Sequence, residues 1–183
     1  MATLLHLNGP PGVGKSTVAR LLAAETPRAL ALDVDVLVPL LSGWRADFWG
    51  TLPVARRLAA AMAREHLAQG YDVFLPQLVT SEEESAPYRA AAEASGATFV
   101  EVVLLADLDT TVERFGRRAA GPADSPGRHV GDIVAENGGA QLLAKIRDDL
   151  LDYLRGPGDR ISVDAMGRTP EETSRTVAAA LRA

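Results

Sequence analysis

The sequence predicts an α/β fold in which a parallel sheet carries helices on both faces. Three observations lead there. Apolar runs of strand length alternate with stretches of helical spacing along the chain. The run from Phe99 to Leu105 is rich in valine and apolar on both faces, the pattern of a parallel strand covered on two sides. The first strand also passes through a glycine-rich turn directly into a helix.

That turn organises the chain. Thr3 to Asn8 reads as a strand, Gly9-Pro10-Pro11-Gly12-Val13-Gly14-Lys15-Ser16 as the turn, and Thr17 to Glu25 as a helix. The pattern is G-x-x-x-x-G-K-S, the Walker A motif, in its required strand–loop–helix setting. Glycines let consecutive backbone N–H groups turn inward around phosphate oxygens. The helix that starts near Lys15 points its positive end at the same anion. Lys15 is a flexible point charge for the β- and γ-phosphates, and the Ser16 hydroxyl is a Mg²⁺ ligand. Pro10 and Pro11 stiffen the loop, which lowers the entropy lost on binding. A turn that bound nothing would need glycine but not Lys-Ser at its exit. ATP with Mg²⁺ is therefore expected here, held by residues 9–16 and Thr17.

The remaining elements follow in order. Arg28 to Asp33 reads as a second strand, and a short helix starts after Asp33-Val34-Asp35. Ser42 to Gly50 reads as a loop carrying both tryptophans, Trp44 and Trp49. Pro53 to Gln69 is a helix with proline in its first turn and Gly70 at its end. Tyr71 to Leu75 is a third strand stopped by Pro76, and Ser81-Glu82-Glu83-Glu84 starts a helix that runs to about Ser95. After the fourth strand, Asp109 to about Arg118 is helical, and the glycines and prolines from Ala119 to Arg128 suit a lid. A helix over roughly Gly139 to Leu154, a fifth strand at Asp159 to Asp164 and a helix opened by Thr169-Pro170 complete the chain.

Composition narrows the classes. A chain of 183 residues fits one domain with a real core. Net charge −5 argues against a nucleic-acid backbone as partner. The absence of cysteine excludes disulfides, thiolate zinc sites and a cysteine nucleophile. No signal-peptide pattern and no apolar run of membrane-spanning length is present, so a cytoplasmic enzyme, monomer or homodimer, is the expectation.

With the Walker A loop, the Asp-x-Asp after the second strand and an arginine-rich lid, the chain resembles the small P-loop kinases. This is the nucleoside-monophosphate, shikimate and gluconate kinase group; within it the chain is most similar to the chloramphenicol phosphotransferase-like and tunicamycin-resistance-like branch. The resemblance implies a three-layer P-loop NTPase fold with a five-stranded sheet in the order 2-3-1-4-5. It also implies a substrate cradle over about residues 36–70 and a lid over about 114–132.

Asp33 and Asp35, one residue apart, share a face if the strand stays extended, and lie at the sheet edge where α/β folds bind ligands. The resemblance puts Asp33 near Mg²⁺ through water and makes Asp35 the acceptor of the substrate hydroxyl's proton. The alternative is a helix N-cap. Arg114 and Arg118 share a helical face. The resemblance makes Arg118, then Arg114 and Arg117, the arginines that close over the triphosphate, with Arg128 a further candidate; the alternative is a solvated face. Trp44, Trp49, Arg45, Arg56, Arg57 and Gln77 are candidates for the cradle, the tryptophans as ring-binding walls or as core plugs. Relatives often have an acidic residue near Gln77, where this chain has none. The resemblance lets Arg168 cover the adenine. His6, His66 and His129 lack metal-ligand spacing, and His6 reads as core.

The expected function is transfer of the γ-phosphoryl group of ATP to a hydroxyl of a small molecule, such as an antibiotic, nucleoside or sugar. Alternatives are a nucleotide-hydrolysing switch or assembly ATPase, and a nucleoside-monophosphate or nucleic-acid 5′-hydroxyl kinase. The switch lacks an Asn-Lys-x-Asp guanine signature.

Overall fold

The computed structural model describes residues 1–121 and 126–181, apart from the side chains of residues 108, 110, 118, 119, 126 and 127. Five parallel strands, β1 (Thr3–Asn8), β2 (Leu30–Ala31), β3 (Val73–Pro76), β4 (Thr98–Leu105) and β5 (Arg160–Asp164), form one sheet in the order β2-β3-β1-β4-β5. This is the order that the family resemblance implies. β1 lies at the centre, pairing with β3 through Leu5↔Phe74 and with β4 through Leu5↔Val100. The chain moves to one side of β1 for β2 and β3 and crosses to the other for β4. The turn after β1 therefore opens at the point where strand order reverses, the crevice used by ligands in such sheets.

Alternation along the strands sorts two cores. Leu4, Val73 and Leu75 face one side, where they meet α3 (Phe48–Ala68) and α4 (Glu82–Ala94). Leu5, Leu7, Phe74, Val102 and Leu104 face the other, against α1 (Lys15–Glu25) and α8 (Pro170–Ala180). On α3 the buried positions Ala55, Ala59, Ala63 and Leu67 recur every fourth residue. Small side chains at that spacing let the helix lie close to its neighbours. A third, smaller cluster of Phe115, Val134 and Leu143 joins α5 (Leu108–Ala119), α6 (Pro126–Glu136) and α7 (Ala140–Arg155).

Several elements depart from the sequence expectation, each for a local reason. β2 is only two residues long, because the Asp33 carboxylate accepts the Asp35 backbone N–H (3.1 Å) and starts α2 (Val34–Leu37). The two aspartates therefore do not share an extended strand. α3 begins at Phe48 rather than Pro53, since Asp47 caps it by accepting from Gly50 N–H at 2.9 Å. Trp49 thus sits in a first helical turn instead of a loop. Pro53 is the sixth residue of this helix and has no N–H to offer the Trp49 carbonyl, so the ladder lacks one bond there. The C-terminal part of the expected lid is helical as α6; residues 122–125 of that lid lie outside the described residues. No helix among the described residues is long and apolar enough to cross a membrane.

Candidate active site

The turn from Gly9 to Ser16 is built by glycines that nothing else could replace. Gly12 has φ +86°, and a Cβ there would stand 2.2 Å from the Thr111 carbonyl oxygen of α5. Gly9, at φ +140°, would place a Cβ 2.5 Å from the Leu104 carbonyl oxygen. The missing side chains let α5 pack its backbone directly on the loop, and Arg114 lies one helical turn beyond that contact. α1 starts at Lys15, and Gly14 at its N-cap has no side chain to cap it, which leaves the N-terminal end for an anion. Lys15 curls back over the loop, its Nζ donating to the carbonyls of Gly9 (2.7 Å) and Pro10 (3.0 Å).

This loop forms part of a cavity of about 970 Å³. That is the upper end of the range for single-ligand sites, a size that suits two reactants side by side. Residues 11–17 line it, as do Asp35, Trp49, Arg56, Gln77, Arg114 and Arg168, so the fold brings most of the candidate residues into one space. Arg117 lines it too, paired with Glu113 at 3.8 Å on an exposed face. The side chain of Arg118 lies outside the described residues.

Other candidates sit elsewhere. Asp33 does not line the cavity; its Oδ1 is the cap of α2. Trp44 is 9% exposed in the core beside Phe48 and Val38, with the His129 ring 5.0 Å away and the Arg45 guanidinium 4.5 Å over its face. Arg57 is exposed and does not line the cavity, and Arg128 pairs with Asp132 at 3.0 Å. Trp49, by contrast, is half exposed and edge-on to Phe48, both on the cavity wall. Arg168 donates to the Thr176 hydroxyl at 2.7 Å, next to a full capping box between Thr169 and Glu172.

Two parts of the site escaped the sequence reading. The first is Glu84 in the opening turn of α4, which pairs with Arg56 on the cavity wall. A glutamate three residues after Ser81 looks like helix-start chemistry alone, and only the α3–α4 packing gives it a second role. The second is a buried network around Glu101 on β4. Its carboxylate accepts from Asn8 Nδ2 (2.9 Å), Tyr153 OH (3.1 Å) and Arg160 Nε (3.0 Å). Burial pushes the Tyr153 phenol up, which keeps that hydroxyl a donor. His6 Nε2 bonds the Gln77 carbonyl at 2.8 Å, an acceptor, so the proton is on Nε2 and Nδ1 faces Glu101 at 3.7 Å. Burial holds His6 below its ordinary pKa, against the pull of Glu101. An acid in a valine-rich strand, level with Arg160 on β5, was the available signal.

Asn8 links this network to the cavity. Its Oδ1 accepts from Gly9 N–H (2.8 Å) and Val79 N–H (3.1 Å), and its Nδ2 donates to the Val79 carbonyl (3.1 Å) as well as to Glu101. One buried side chain thereby joins the start of the phosphate loop to the segment that follows β3.

The family model described as AAA domain matches residues 4–137, which contain the phosphate loop, Asp35, Arg56, Glu84 and Arg114. The chain belongs to this family. No curated protein matches this AAA domain by sequence. Several solved structures of similar fold carry kinase in their names. The tunicamycin resistance protein of Deinococcus radiodurans is 19% identical with a TM-score of 0.62, over 99% of this chain and 96% of that one. A gluconokinase from Sinorhizobium meliloti is 19% identical with a TM-score of 0.64, over 99% and 91%. The APS kinase of Mycobacterium tuberculosis, in complex with AMPPNP and APS, is 19% identical with a TM-score of 0.60, over 100% and 98%.

Proposed function

We propose that this AAA domain protein is a kinase that transfers the γ-phosphoryl group of ATP to a hydroxyl of a small molecule. The observation that carries the reading is the single cavity that Lys15 and Asp35 both line, with room for a second reactant beside the phosphate loop. A nucleotide switch needs the loop but not the wall of Asp35, Arg56 and Trp49 that continues from it. The gluconokinase and the APS kinase of similar fold differ in the acceptors their names state, so only the type of transfer is carried over.

The Ser16 hydroxyl lines the cavity, and the described residues hold no cluster of three histidine or acidic side chains. That donor set fits Mg²⁺, which keeps water and phosphate oxygens as ligands and neutralises developing charge on the triphosphate. Residues 11–17 cradle the phosphates, while Lys15 exchanges its loop carbonyls for phosphate oxygens. Arg114, carried onto the loop by the close contact at Gly12, faces the charge that spreads over the γ-phosphoryl oxygens. Asp35 orients the acceptor. Its hydroxyl oxygen bonds the γ-phosphorus as the bond from that phosphorus to the bridging oxygen breaks. ADP leaves, and the hydroxyl proton passes to Asp35 and then to water.

Asp35→Asn tests the reading. The transfer rate should fall roughly 10²- to 10⁴-fold, the range for a lost general base, while the dissociation constant of Mg-AMPPNP stays within about twofold of wild type. Single-turnover rates and calorimetry measure the two quantities. Unchanged turnover would remove Asp35 from the chemistry.

A further inference from the structure

Arg56 and Glu84 sit on adjacent helices and both line the cavity with Asp35. Their side chains are 14% and 30% exposed, and both Arg56 Nη atoms and both Glu84 oxygens have partners within the protein, while the buried Arg56 Nε–H has none. Arg56 Nη1 pairs with Glu84 Oε1, and Nη2 donates to the Leu78 carbonyl at 3.1 Å. Glu84 Oε2 accepts from the Thr80 backbone N–H at 2.7 Å and from the Thr80 hydroxyl at 3.3 Å. Glu84 also lies in the first turn of α4, where the helix N-terminus stabilises a negative charge. Lys145 is likewise bound by Asp149, at 2.7 and 2.9 Å, where α7 reaches the same cavity.

The charge pattern has a direct consequence for the second reactant. An anionic acceptor that approached Arg56 would meet the Glu84 carboxylate that already holds it. Displacing Glu84 from the arginine would leave it half-buried and held by Thr80, without its counter-cation. A neutral hydroxyl meets neither penalty, and the polar atoms of Gln77 and Thr80 offer it hydrogen bonds. Trp49, Leu52 and Pro53 add an apolar wall suited to a ring.

We infer that the acceptor subsite takes an uncharged, hydroxyl-bearing ring, and that Glu84 is the residue that turns anionic acceptors away. This rests on the kinase reading above. Glu84 acts by repulsion as well as by occupying Arg56, which is how discrimination is built against a wrong partner.

The test uses the full chain saturated with Mg-AMPPNP, titrated calorimetrically with inorganic phosphate. Glu84→Gln should bind phosphate at least about tenfold more tightly than wild type, and the double variant Arg56→Gln/Glu84→Gln should lose that gain. Equal phosphate affinity in wild type and a folded Glu84→Gln would overturn the proposal. If Glu84→Gln does not fold, wild type and Arg56→Gln decide the matter. Their phosphate affinities should agree, and a loss in Arg56→Gln would mean that the arginine already receives anions. In a parallel arm, MgATP consumption is compared for glucose against glucuronate and for thymidine against thymidine monophosphate. Preference for the charged member of either pair also overturns the proposal. No heat from Mg-AMPPNP itself would instead sink the kinase reading. The phosphate comparison would still report on Arg56, because any contribution of the phosphate loop is common to all the proteins.

Discussion

The phosphate-loop half of the cavity is centred on one short contiguous stretch, residues 11–17, with Arg114 and Arg168 added from elsewhere in the chain. Around Asp35 the cavity is made of side chains from α2, α3, the segment after β3 and α4, spread over some fifty residues of sequence. The loop half leaves a helix end uncapped and keeps Lys15 on replaceable carbonyl partners, ready for a strong anion. The acceptor half pairs its cation internally, Arg56 with Glu84. A site that grips the same phosphates in any substrate can be built from the main chain. One that selects a particular molecule has to be assembled from side chains whose charges are set against each other.

The largest effect should come from breaking the loop half. Lys15→Ala should lower MgATP turnover by about 10³-fold or more, on the scale of losing a charge-stabilising donor at the transferred group. A steady-state assay that found near-normal turnover would erase the contrast between the halves. Gly12→Ala should follow. Its Cβ would collide with the Thr111 carbonyl at a backbone angle that disfavours alanine, costing about 1–3 kcal/mol from the conformation alone. It should weaken Mg-AMPPNP by calorimetry and lower the melting temperature together, since the loop and α5 must move apart. Normal nucleotide affinity would mean that the close contact is not what seats Arg114.

The smallest effect sharpens the contrast from the acceptor side. His6 holds the Gln77 carbonyl, and burial keeps its folded-state pKa below the ordinary 6.5. The unfolded chain therefore takes up the proton first as pH falls. This contribution to stability is complete above about pH 6.5 and declines below it, by at most about 1.4 kcal/mol per pH unit. Melting curves between pH 7.5 and 5.5 should show a steeper loss for wild type than for His6→Gln. Parallel curves would mean that His6 is not the group that titrates.

How much could be read from the sequence follows the same division. The loop is contiguous and its spacing carries the chemistry, so residues 9–16 announced both strand and helix around them. The strand order came from the family resemblance, and the strand and helix positions from alternation of apolar runs. Asp33 was harder, because its cap competes with the strand over two residues, and that choice depends on where its own carboxylate turns. Trp44 and Trp49 looked alike in sequence but part company at the Asp47 cap, which puts Trp49 on α3. Glu84 and Glu101 were illegible for a different reason. Each is an ordinary residue for its own element, and their partners, Arg56 and Asn8, are far away along the chain.

Asn8 has one more consequence. Because it grips the loop's first amide with the same amide group that grips Val79, the spacing between the phosphate loop and the segment after β3 is set by one buried side chain. Redesign of the wall for another molecule can therefore leave this ruler untouched.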